Sequence, residues 1–201
     1  PEKDIGLGAT APLYQSGSNS VGLWAMFITM LADLTAFSGL VFGYFYFWTV
    51  HGAFPPVGSA EPDRFWLVAA AVGYAAAWAL TLLSVRANAN GSAYAACASL
   101  VAGIALALGG TAALVFAPSA TGMDPTVHAY PAIVWVLILW TGIHAAAGVL
   151  MQAYVIARTA VGLCTAIYDA DVRNVALYWH FMALTAAVTI AVIGLFPEVS
   201  R

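Results

Sequence analysis

The sequence predicts an all-α polytopic membrane protein, a bundle of five transmembrane helices. Two observations predict it. The chain of 201 residues is 63% hydrophobic and only 7% charged, with a mean hydropathy of +0.89, whereas soluble domains carry roughly 25% charged residues. Its apolar residues gather into five runs, each near or beyond the roughly 20 residues that take a helix across about 30 Å of hydrocarbon. Strands of a membrane barrel are shorter and polar on one face, so the runs read as helices.

Residues 1–20 form an N-terminal extramembrane segment, and residues 21–201 the membrane domain. The first run spans about 21–48 and is closed by Pro55, Pro56, Pro62 and Asp63. The second, about 65–85, leads into the tight connection Asn88, Asn90, Gly91. The third, about 93–116, ends before the loop from Pro118 to Pro131. The fourth spans about 130–156, and a loop from Thr159 to Asn174 precedes the fifth, about 175–196, which Pro197 ends. Asn174 is placed to cap the fifth helix. Small residues at four-residue spacing mark helix contacts: Gly39 and Gly43; Ala69, Gly73 and Ala77; Gly142 and Ala146.

Basic residues favour the cytoplasmic side. Lys3, Arg86, Arg158 and Arg173 fall on one side, Arg64 and Arg201 on the other. That bias predicts a cytoplasmic N-terminus and an outward C-terminus. Trp24, Trp48, Trp66, Tyr130, Trp135, Tyr154, Tyr178 and Trp179 lie near run ends, where amphipathic rings prefer to sit. The net charge of −3 is small and spread out, which gives nucleic acid nothing to hold. Cys97 and Cys164 form neither a disulfide framework nor a metal motif. The chain begins at Pro1 rather than Met, which points to processing or to a longer precursor.

Polar groups inside the runs carry the functional argument, because an ionisable group in hydrocarbon needs a partner. Asp33 is the one carboxylate well inside a run, and His144 lies in the middle of the fourth. Counted at 1.5 Å per residue, Asp33 is roughly 17 Å and His144 roughly 18 Å from the cytoplasmic end, so the two can meet. His180 is shallower, about 8 Å in, and reads as a boundary residue bonded to a loop, a lipid headgroup or a neighbouring helix.

Several chemistries compete for these residues. Asp33, His144 and His180 as an iron site suffer from unequal depth and lack further ligands. A haem between His144 and His180 meets the same depth mismatch. A retinal Schiff base needs a buried lysine, and Lys3 is the only lysine. A proton or ion transporter normally carries more intramembrane charge or broken helices. A structural polar clasp is the plainest alternative. Arg158, two turns beyond Gln152, either grips a lipid phosphate or snorkels to the surface.

Four segments together resemble subunit III of haem–copper oxidases in its five-helix form. They are MFITMLADLTAF in the first run, MDPTVHAYPAIVW (123–135), GIHAAAG (142–148) and NVALYWHF (174–181). The likeness covers nearly everything after Gly22 and is greatest to the subunit III part of fused I+III chains. It implies an accessory role: a subunit without haem or copper that packs on catalytic subunit I, holds phospholipid in a cleft and supports proton uptake. The family's intramembrane acid maps onto Asp33, its fourth-helix histidine onto His144 and its lipid-contacting arginine onto Arg158. Three departures stand out. Asp33 replaces the usual Glu, Ala183 replaces an acid found in many members, and the two extra N-terminal helices of seven-helix forms are absent. The functional expectation is a non-catalytic subunit of a proton-pumping terminal oxidase. The lipid-binding or structural polar site is expected at Asp33, His144, Arg158, Trp179 and His180. The contrasting expectation is a stand-alone proton-coupled carrier using Asp33 and His144.

Overall fold

A computed structural model describes residues 2–12 and 20–199. Five helices are long and apolar enough to cross a membrane: α1 (Val21–Val50), α2 (Arg64–Ala89), α3 (Ala93–Ala120), α4 (Ala129–Ala160) and α5 (Ala170–Gly194). The chain is an all-α bundle of the kind the composition predicts. A short α6 (Phe196–Val199) follows, with Pro197 in its first turn. Ahead of the bundle, β1 (Glu2–Gly6) pairs antiparallel with β2 (Ala9–Pro12). Hydropathy gave no sign of this hairpin. Its turn is made by Gly6, Leu7 and Gly8, all at positive φ, a conformation open to glycine at little cost.

The helix starts follow ordinary capping chemistry. Ser20, Asp63 and Ser92 each accept the backbone N–H three residues on, satisfying a donor that the first turn leaves unpaired. His128 does the same for Tyr130 through Nδ1, at 3.0 Å. The fifth helix departs from expectation. It begins at Ala170, so Asn174 is inside the helix and is not its cap. Asp169 precedes the first turn and instead binds Arg173 Nε across one turn, at 2.5 Å. The polar stretch ADVRN is therefore helical outside the apolar run. This puts His180 roughly 15 Å along its helix.

Helices α2, α3, α4 and α5 close into a ring, each packed on the next, and α2 with α3 is the most intimate pair. A Cβ built on Gly73 would stand 2.8 Å from the Gly110 Cα and 3.0 Å from the Leu106 carbonyl oxygen. The expected small-residue seam of α2 is thus a backbone-to-backbone contact. The pair expected in α1 is only half used: Gly43 faces Ile133, while Gly39 has nothing within 4 Å.

Helix α1 lies outside the ring. It rests on α4 and α5 and, among the described residues, does not pack on α2 or α3. Only 11% of its most apolar window is buried, against 56% for α5. Met30, Phe37 and Tyr44, at seven-residue intervals, form its buried seam. At one end Tyr44 meets Phe54, Tyr130 and Phe196 edge to face, an arrangement that aromatic quadrupoles favour.

Tight turns join α2 to α3 and end α4, with Gly91 and Gly162 at positive φ. Cys164 is buried in the loop after α4, and burial pushes its thiol above the ordinary range. The sign follows directly. The folded chain holds this proton more tightly than the unfolded one, so the stability it contributes is present below the ordinary thiol value and lost as pH rises through the folded value. In a Cys97→Ala background at neutral pH, maleimide labelling of Cys164 is expected to run at least tenfold slower than in the same chain unfolded in SDS. Equal rates would show that the thiol is open to solvent.

Candidate functional site

Asp33 and His144 meet where α1 crosses α4: His144 Nε2 is 3.7 Å from Asp33 Oδ2. The contact expected from matched depth is formed. The His144 side chain is 14% exposed and that of Asp33 34%. His144 Nδ1 lies 2.8 Å from the Trp140 carbonyl, which only accepts, so Nδ1 carries a proton. In a neutral imidazole Nε2 is then a lone pair, and it faces a carboxylate. The 3.7 Å separation is within ion-pair range and longer than a hydrogen bond. Each group thereby has a polar neighbour inside an apolar run.

Packing fixes the imidazole. Trp140 stacks on it with ring centroids 4.1 Å apart, and Phe37 from α1 stacks on Trp140 in turn. Phe181 of α5 closes the third side. Tyr178 donates to the His144 backbone carbonyl at 2.9 Å and holds α5 against the same turn of α4.

Trp179 and Tyr178 face the interior of the bundle. Trp179 is fully buried and Tyr178 nearly so. Both rings press on Gly148 of α4, where an added Cβ would stand 3.2 to 3.3 Å from them. The missing side chain makes room for two large rings in the interior. Tyr130 is likewise buried, whereas Trp24, Trp48 and Tyr154 are exposed as an interfacial position demands.

Among the described residues, His180 makes no hydrogen bond or ion pair with Asp33. Its Nδ1 donates to the Ala176 carbonyl at 2.7 Å, and its ring stands edge-on to Trp78 of α2. His51 and His144 use the same bond to the carbonyl four residues back. That is how this chain satisfies one ring nitrogen of a histidine in or at the end of a helix. Of the partners expected for His180, a loop, a lipid headgroup or a neighbouring helix, the neighbouring helix is met by the Trp78 ring, and Nδ1 is taken by the residue's own helix.

Arg158 lies where sequence reasoning put it, but its charge is already met. Asp171 Oδ2 is 2.7 Å from its Nε, and Tyr154 Oη is 3.1 Å from Nη1. The pair ties the last turn of α4 to the first of α5. Asp171 falls in the polar approach that the apolar runs leave between the fourth and fifth helices, and spacing there gives no sign of its partner. Among the described residues, no three His, Cys, Asp or Glu side chains converge as a metal-ligand set. Gln152 is a second buried polar group, donating to Thr81 of α2 at 2.7 Å.

Fold and site together define a multi-pass membrane protein with an acid–histidine contact between an outlying helix and a four-helix ring. Comparison with protein-family models gives no match, and comparison with curated proteins gives none.

Proposed function

We propose that this chain is a non-catalytic accessory subunit, the subunit III, of a proton-pumping haem–copper terminal oxidase. In this reading it packs on catalytic subunit I, binds phospholipid and supports proton uptake. Haem and copper belong to partner subunits, and the complex is a cytochrome c or quinol oxidase. The protein lies in a bacterial plasma membrane with its N-terminus cytoplasmic.

One observation carries the reading. Two residues from separate resembling segments, Asp33 and His144, meet at 3.7 Å. Such a contact fastens α1 to α4. The broad apolar flank of α1, buried over only 11% of its most apolar window, is the face a larger subunit or lipid would cover. The lipid contact expected at Arg158 has to compete with Asp171 for the guanidinium.

Purification from native membranes tests the proposal. The chain is expected to co-elute with a haem-bearing subunit and to show no Soret band by itself. Asp33→Ala is expected to leave the haem spectrum of the complex intact while loosening subunit III or shortening turnover lifetime. Proton movement by the isolated chain in liposomes would replace the accessory reading with that of a proton-coupled carrier.

A further inference from the structure

Because α1 rests on α4 and α5 but not on α2, a groove stays open between α1 and α2 above α5. It consists of two hollows of about 500 and 220 Å³ that share Leu177 and His180. Its mouth is charged and its depth is not. Arg86, in the last turn of α2, and Arg173, in the first turn of α5, stand at the mouth. Below them the lining is apolar apart from His180, running from Leu23 through Leu177 to Leu184.

Length and charge both fit one ligand. From Arg173 to Leu184 is eleven residues of helix, roughly 16 Å, and half of a hydrocarbon core of about 30 Å is about 15 Å. The groove is one leaflet deep. The Arg173 guanidinium is paired with Asp169, and Arg86 has no ion-pair partner among the described residues. Taken together, Arg86, Arg173 and Asp169 carry one net positive charge, which a single phosphodiester balances.

We propose that this groove holds one anionic phospholipid, with its phosphate between Arg86 and Arg173 and an acyl chain along Leu177 to Leu184. The site is separate from Arg158. The proposal deepens the lipid-binding part of the function above by naming the place and the lipid charge, and it stands or falls independently of the oxidase partner.

Native mass spectrometry of the purified protein, with whatever subunits accompany it, tests this after reconstitution into vesicles of equal parts phosphatidylcholine, phosphatidylethanolamine and phosphatidylglycerol. Phosphatidylglycerol is expected to be retained preferentially. Arg86→Gln and Arg173→Gln are each expected to lower that retention about fivefold, Arg86→Lys to keep most of it, and Arg64→Gln, at the opposite membrane face, to leave it unchanged. Leu177→Trp, which fills the junction of the two hollows, is expected to reduce retention of every lipid with helical content preserved. Equal retention of the three lipids would overturn the proposal. So would unchanged retention in both arginine variants, or displacement of the lipid by inorganic phosphate, the mark of a free-anion site.

Discussion

Gly73→Ala is expected to cost about 2–3 kcal/mol of bundle stability, a large loss for one methyl group. The added carbon would stand 2.8 Å from the Gly110 Cα and 3.0 Å from a carbonyl oxygen. Both are backbone atoms, so no rotamer change relieves the clash, and α2 and α3 must move apart along their closest seam. Alanine returns only about 0.5–1 kcal/mol through helix propensity. Two other glycines calibrate the measurement. Gly110→Ala places its carbon at 3.3 Å and is expected to cost less, while Gly39→Ala meets nothing within 4 Å and is expected to be neutral or slightly stabilising. Unfolding titrations in mixed micelles read the order directly. A Gly39 variant as damaged as the Gly73 variant would mean that glycine flexibility, and not close approach, is what α2 requires.

Asp33→Ala is expected to weaken the docking of α1 by about 2 kcal/mol. The loss comes from leaving His144 Nε2 in an enclosed site with its carboxylate neighbour gone. The estimate stays below the 3–5 kcal/mol typical of a broken fully buried ion pair because a third of the Asp33 side chain is exposed. Asparagine separates the causes. With Nδ1 committed to the Trp140 carbonyl, Nε2 of the neutral ring accepts, and the amide of an asparagine in place of Asp33 can donate to it. Asp33→Asn is therefore expected to recover most of the loss, and the Asp33→Ala, His144→Ala double variant to lose less than the sum of the singles. If asparagine behaves like alanine, a polar contact to Nε2 is not what holds the two helices.

Much of this was legible in the chain because membranes impose few options. Run length set the number of helices, and equal depth brought Asp33 to His144 without knowledge of which helices touch. Hydropathy fails where its physics stops applying. The stretch ADVRN is the start of α5, with the Asp171 carboxylate near the helix's positive end, and an apolar scan sees only its polarity. Trp179 looked interfacial because tryptophan usually is; its burial depends on Gly148, a residue of another helix whose role is to be small. The Arg158–Asp171 pair needed the path of the loop between α4 and α5, which spacing alone does not give. Arg201, counted in the charge bias, lies outside the described residues.

The placement of α1 outside the ring also has a consequence in time. Asp33 is translated 111 residues before His144, the histidine it meets. At about 5–20 residues per second, the carboxyl waits roughly 6 to 22 seconds for its partner. Helix α1 is thus made well before the helix it docks on, and its place against α4 can be taken only after α2 and α3 have been made.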